Sequence, residues 1–345
     1  LGPSARCGSS QYRNPHTRLS YPIPGIWKYK CPKTRLACVA ELCYNHRTMT
    51  RSGIVAISGQ PNVGKSTILN GFLKEKVAII SEKPETTRDV IRGILTEKDS
   101  QIVFMDTPGI HKPHDLLGKV MLSRAQSCLM EADIILFITE KKTAFNGDDE
   151  NILARLPEPK NGKKVIFVIN KADKVKDKKT LLPLIKKAGE MYPFDEIVPM
   201  CALKEKDLDN LLKVIRSYLP EGPFLYPEDQ LSDKGTRFMI QEIIREKVLT
   251  VTFEEIPHSV AVIVDDIDDS DEKGIKVFAT IFVERASQKS IIIGKDGEMI
   301  KKIGKMARKD IEDLLEKHIY LDLWAKVREK WKKDPAALKD MGYTD

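Results

Sequence analysis

Eight consecutive residues, Gly59-Gln60-Pro61-Asn62-Val63-Gly64-Lys65-Ser66, space two glycines, a lysine and a hydroxyl in the order G-x4-G-K-[ST]. That order suits phosphate: the glycines let backbone N–H groups turn inward around its oxygens, and the following helix adds a favourable dipole. Lys65 then supplies a point charge to the β- and γ-phosphates and Ser66 a hydroxyl to Mg²⁺, with Thr67 next in the same cradle. Asp106-Thr107-Pro108-Gly109 offers a carboxylate that can reach Mg²⁺ through water and an amide, Gly109, that can sense the γ-phosphate. In Asn170-Lys171-Ala172-Asp173 the last carboxylate can accept hydrogen bonds from guanine N1–H and its exocyclic amine. Adenine lacks those donors and would leave a buried carboxylate unpaired. Alone, either tetrapeptide is more often a turn. All three in this order, each ending a strand-like run where α/β sheets bind ligands, point to one guanine-nucleotide site.

Two weaker signals extend that site. Cys201-Ala202-Leu203 stands where GTPases often carry Ser-Ala-Lys or Ser-Ala-Leu, so the Ala202 amide is expected at guanine O6. Thr86-Thr87-Arg88-Asp89 lies where a switch loop belongs; Thr87 is the residue expected to close on Mg²⁺ and the γ-phosphate, with Thr86 as the alternative. The candidates for catalysis are therefore Lys65, Thr87 and Gly109, and for the metal Ser66, Thr87 and Asp106. Ile110 follows Gly109 at the place where Ras-like GTPases have a catalytic glutamine. Isoleucine cannot orient water, so slow intrinsic hydrolysis is expected, with catalysis mostly electrostatic.

A second chemistry is written further along. Gly294-Lys295-Asp296-Gly297 can let a nucleic-acid backbone approach without Cβ interference. Between 284 and 309 eight basic residues, among them Arg285, Lys289, Lys295, Lys301, Lys302 and Lys305, face three acids. Ile291, Ile292, Ile293, Met299, Ile300 and Ile303 are the apolar positions expected to form a groove for unstacked bases. A solvated helix is the bland alternative for this stretch.

These residues need elements to position them. Segments 54–58, 102–105, 134–139, 165–169 and 197–200 are short apolar runs, with helical patterns at 65–73, 116–130 and 208–218 between them. That alternation predicts a largely parallel sheet covered on both faces. Leu219-Pro220-Glu221-Gly222-Pro223 breaks it, and 221–234 reads as a linker. Beyond lie a helix at 238–249, strands at 259–264 and 275–283 around an acidic turn at 265–272, strand-like 291–293, a helix through 315 and a strand at 320–327. Trp324 and Trp331 are expected to pack under the C-terminal segment, with stacking on a base as the alternative. The expected division is an extension at 1–48, a G domain at 49–220, the linker and an RNA-binding domain at 235–345.

The net charge of +7 carries less than it suggests. Residues 1–48 hold eight basic side chains and one acid, so they account for all of it and the rest is formally neutral. That stretch lacks periodicity and reads as an upstream translation artefact, with a transit peptide as the rival. Cys7, Cys31, Cys38 and Cys43 fall there without paired CxxC spacing, which argues against zinc. The two remaining thiols, Cys128 and Cys201, make no disulfide framework and favour a reducing compartment. No apolar run is long enough to span a bilayer.

GQPNVGKST, PETTRD, DTPGI, NKAD, LPEGPFLYPEDQ, EIIREK, EEIPHSVAV and IIIGKDGEMIKKIGKMAR together resemble the bacterial Era GTPase family over roughly 49–343. The resemblance implies a Ras-like P-loop G domain followed by an α+β type II KH domain. It implies a monomeric cytoplasmic factor that hydrolyses GTP slowly, needs Mg²⁺, binds 16S rRNA near its 3′ end and promotes 30S maturation, with peripheral inner-membrane contact. Some relatives use the P-loop asparagine, here Asn62, to help hold K⁺. An RNA-binding adaptor that does not hydrolyse GTP and a tRNA-modifying GTPase are the competing readings.

Overall fold

The computed structural model describes residues 50–344 apart from 84, 111–112, 141–144, 146, 159–161 and 271–273. The extension and its four cysteines lie outside the described residues. All elements below belong to one compact unit, Thr48–Asp345.

The first half is built as the apolar runs require. Strands β1 (Arg51–Gly59), β2 (Ile91–Thr96), β3 (Ser100–Asp106), β4 (Ile134–Glu140), β5 (Lys164–Asn170) and β6 (Glu196–Pro199) form one sheet in the order β2-β3-β1-β4-β5-β6. Only β2 runs antiparallel to its neighbour. Every residue of β3 is buried, and so is β5 after Lys164, because helices cover both faces. The helices are α1 (Lys65–Leu73), α2 (Leu116–Glu131), α3 (Gly147–Leu153), α4 (Leu182–Met191) and α5 (Glu205–Tyr218). Two cores result, one per face: Ile57, Ile68 and Leu211 on one, Phe137, Phe167 and Ala125 on the other.

This topology fixes where the motifs meet. Gly59, Asp106 and Asn170 are the last residues of β1, β3 and β5, so three loops leave the same edge of the sheet. The linker is docked rather than loose: Leu231 O accepts from Ile94 N at 2.9 Å, and Gln101 bonds Leu225, Tyr226 and Thr96. It thereby covers the edge strand β2, which would otherwise offer unpaired amides.

The second half carries α6 (Thr236–Val251), the short α7 (Ile256–Ser259), β7 (Ala261–Asp268), β8 (Ile275–Val283), α8 (Ala286–Ile293), α9 (Glu298–Leu315), β9 (Ile319–Val327) and α10 (Pro335–Asp340). Its sheet runs β7-β8-β9, first antiparallel and then parallel. Three expectations change here. Segment 291–293 is the end of a helix: Gln288 Oε1 accepts from Glu284 N and Arg285 N at 3.0 Å and fixes its first turn. The acidic run is partly strand, since β7 continues through a bulge at Asp265, whose carboxylate takes the Thr280 hydroxyl at 2.7 Å. Trp331 is fully buried and donates to Ser259 O, but Trp324 is 58% exposed and turns its Nε1 to Asp322.

Candidate functional site

Strain marks the phosphate loop. At Gly59 a Cβ would stand 2.2 Å from Ile138 O, and at Gly64, with φ +98°, 2.4 Å from the Asn170 amide. Only glycine fits either place. Val63 O accepts from Asn170 Nδ2 at 2.7 Å, which ties the loop from β1 to the loop from β5. Lys65 is buried, and its ammonium donates to Gly59 O and Gln60 O at 3.2 and 2.8 Å. Burial lowers its pKa to about 8, with Asp106 opposing that shift.

The residues expected around the metal come together. Ser66 Oγ donates to Asp106 Oδ2 at 2.6 Å and lies 3.1 Å from Thr87 Oγ1, which is itself 3.4 Å from the same carboxylate oxygen. Asp106 is completely buried and, among the described residues, its Oδ1 has no hydrogen-bond partner; burial raises its pKa against the pull of Lys65, Ser66 and Thr87. Thr86 also lines the cavity but donates to Lys83 O, so of the two threonine hydroxyls it is that of Thr87 that meets Ser66 and Asp106. A cavity of about 390 Å³ opens here, lined by Asn62, Gly64, Lys65, Ser66, Thr67, Thr87, Gly109 and Lys171 among others.

The base side of the site is less assembled. Lys171 Nζ donates to Asn62 O at 2.8 Å and pairs with Glu140. Asp173 is exposed beyond it, and a hydrogen bond from the Cys201 thiol, first among several causes, holds its carboxyl below the usual range. The Ala202 amide, expected at guanine O6, donates to Asn170 Oδ1 at 3.0 Å. Ile110 is 2% exposed and packs with Met105 and Ala125, away from the cavity.

Sequence reasoning missed what holds Thr87. Thr86 O accepts from Arg245 of α6. Arg88 is 2% exposed and donates to Val260 O, Pro257 O and His258 O in the second half of the chain. Ile79 is buried in that half's core, and Ile80 N donates to Glu246 Oε1 at 3.0 Å. The switch loop is thus strapped to α6 and α7. Glu246 also takes Lys76 and Lys247; burial alone would raise its pKa, but these donors outweigh it and the net shift is downward. A depressed carboxyl pKa stabilises the fold above the unfolded value, about 4.5, and that contribution is lost as pH falls through the folded value. The stability gap between the protein and Glu246→Gln is therefore expected to be full at pH 7 and to shrink as pH drops below 4.5, by urea titration; a constant gap would refute it.

The RNA-motif residues are also placed. Gly294 has φ +73°, and a Cβ there would meet Met299 Cβ at 2.7 Å; Gly297 and Asp296 are left-handed as well. Lys295, Lys301, Lys302, Lys305 and Arg285 are exposed, with Lys289 and Ile293 half-buried. Ile292 and Ile303 prove to be core residues, fully buried, so the apolar surface left beside the loop is Ile291, Ile293, Met299 and Ile300.

The fold and these loops define a P-loop GTPase domain joined to a KH domain. Family models agree: one described as a 50S ribosome-binding GTPase matches residues 54–171, and a KH domain matches 255–332. GTPase Era of Staphylococcus haemolyticus is 45% identical over 299 residues, covering 86% of this chain and 99% of its own. GTPase Era of Clostridium tetani is 44% identical over the same shares. Two solved structures superpose with TM-score 0.82 at 43% identity, over 86% of this chain and 100% of their own. One is an Era in complex with MgGDPNP and nucleotides 1506–1542 of 16S ribosomal RNA, the other a variant of Aquifex aeolicus Era bound to GDP·AlF4⁻. The chain belongs to the Era GTPase family.

Proposed function

We propose that this GTPase is a small-subunit assembly factor whose KH domain binds 16S rRNA near its 3′ end in a GTP-controlled manner, promoting 30S maturation. The supporting observation is the GxxG loop with its exposed lysines, in a chain 43% identical to an Era crystallised with that RNA. The division that serves this reading is a G domain at 49–220, a linker at 221–234 and a KH domain at 235–345. Crosslinking the GTP-loaded protein to RNA and sequencing the adducts tests it; reads centred away from the 16S 3′ end would overturn it.

In this reading Gly59, Asn62, Val63, Gly64, Lys65, Ser66 and Thr67 cradle the phosphates. Ser66, Thr87 and Asp106 fit Mg²⁺, because they gather hard oxygen donors around a buried carboxylate, one oxygen of which has no partner among the described residues. Bound there, the metal would neutralise charge developing on the β- and γ-phosphate oxygens. Lys65 holds the γ-phosphate, Thr87 closes the switch loop over it, and Gly109 presents its amide. With Ile110 buried, no side chain at that position orients water, and turnover without a partner stays slow. Asn62, whose Nδ2 donates to Glu82 O, would help hold K⁺ on the strength of the family resemblance rather than of this bond. Equal hydrolysis rates in K⁺ and Na⁺ would remove that role.

Asn170, Lys171, Asp173 and Ala202 form the guanine side. Asp173→Asn is expected to weaken GTP binding at least about 100-fold and to favour xanthosine triphosphate, whose 2-oxo group suits an amide donor. Retained GTP preference in competition titrations would show that the base lies elsewhere. The protein acts in the cytoplasm as a monomer, with peripheral contact at the inner membrane; among the described residues no helix is long and apolar enough to cross one.

A further inference from the structure

The most basic stretch of the folded chain lies on the G domain, not on the KH domain. Between 162 and 187 there are nine lysines and two aspartates, against eight basic residues and three acids between 284 and 309. The two aspartates offset little of this charge: Asp173 takes the Cys201 thiol first and feels Lys204 and Lys174 only as weaker neighbours, and Asp177 caps its own turn by accepting from Lys179 N at 2.9 Å. Lys174, Lys176, Lys178, Lys179 and Lys186 are exposed. Among the described residues none of these five forms an ion pair with a carboxylate, whereas Lys164 pairs with Asp195 and Lys171 with Glu140. Like charges this close in sequence repel one another within a Debye length of about 8 Å, so the surface is poised for a polyanion.

Resting on the rRNA-binding reading above, we infer that this lysine surface, from Lys174 to the start of α4, is a second RNA contact that grips phosphates of folded, helical rRNA. Its composition decides what it reads. Lysine ammoniums are mobile point charges without the planar fork of arginine, and no aromatic residue lies between 168 and 191 to stack on a base. Such a surface positions the protein on a backbone and carries no sequence information. A membrane fits it less well, because Leu182 is the one large, strongly exposed apolar side chain among these described residues, too little to wedge into lipid. Lys174 lines the nucleotide cavity, so the phosphate track begins at the rim of the GTP site.

The test uses the full chain loaded with a non-hydrolysable GTP analogue and a variant carrying Lys176→Gln, Lys178→Gln, Lys179→Gln and Lys186→Gln. Binding to a helical 16S rRNA fragment is measured from low to moderate salt, beside binding to a ten-nucleotide single strand from the 16S 3′ end. The variant is expected to lower the slope of log affinity against log salt on helical RNA by about three, from nearly one counterion per lysine, and to weaken binding at least tenfold. Its affinity for the single strand and its GTP turnover without RNA should stay within twofold, and four arginines at these positions should restore the slope. Equal slopes overturn the inference, as does a loss confined to phosphatidylglycerol vesicles. If neither protein binds the single strand, the KH reading fails, while the slopes on helical RNA still decide the lysine surface.

Discussion

Lys65→Met is expected to lower single-turnover GTP hydrolysis by about 100- to 1,000-fold at saturating nucleotide, the range for losing one preorganised donor at developing charge. The structure gives the reason. The Lys65 ammonium is buried, donates to Gly59 O and Gln60 O, and lies close enough to Asp106 to raise its own pKa against burial. In so dry a site a positive charge costs much to hold and acts strongly on phosphate oxygens. Methionine keeps the length and volume but removes the charge. Ser66 and Asp106, the proposed metal ligands, are left in place, so the loss should fall on turnover more than on Mg²⁺ dependence. Hydrolysis within tenfold of the parent protein would show that another cation occupies the γ-phosphate position.

Local chemistry made one part of this molecule legible and left another hidden. The helix starting at Lys65 follows from the glycine-lysine turn before it, and strand 275–283 from its run of β-branched and aromatic residues; the structure places both at the expected residues. Three successive isoleucines at 291–293 carry the same β-branched signal yet end a helix. The deciding feature is Gln288, which reaches back to two amides and supplies the cap that propensity alone ignores. The core positions Ile292 and Ile303 were indistinguishable in sequence from the groove positions beside them, because burial is set by α6 and the sheet packed against them. The strap on the switch loop was invisible for a similar reason. Arg88 and Arg245 lie 157 positions apart, and each bonds backbone carbonyls, which carry no sequence signature.

That strap leads to the other large effect. Thr86, Thr87 and Arg88 are consecutive, and each is committed differently: the Thr86 carbonyl to Arg245, the Thr87 hydroxyl to Ser66 and Asp106, and the Arg88 guanidinium to three carbonyls around α7. If Thr87 serves the proposed metal site, a shift toward it would pull on neighbours bonded to the KH side. By linkage, whatever favours one arrangement of α6 and α7 must alter nucleotide affinity, and nucleotide must alter RNA affinity by the same factor, typically about 5- to 150-fold. Arg88→Ala would leave the carbonyls of Pro257, His258 and Val260 without this donor, at a cost of about 3 kcal/mol in stability. It is also expected to bring the ratio of RNA affinities with GTP analogue and GDP to within twofold of one. Arg245→Lys keeps a charge beside Glu242 and should fold normally, yet a single ammonium cannot serve both Glu242 and Thr86 as the guanidinium does, so its ratio should fall as well. If Arg245→Lys kept the full ratio while Arg88→Ala merely unfolded, the strap would hold the domains together without carrying the nucleotide signal.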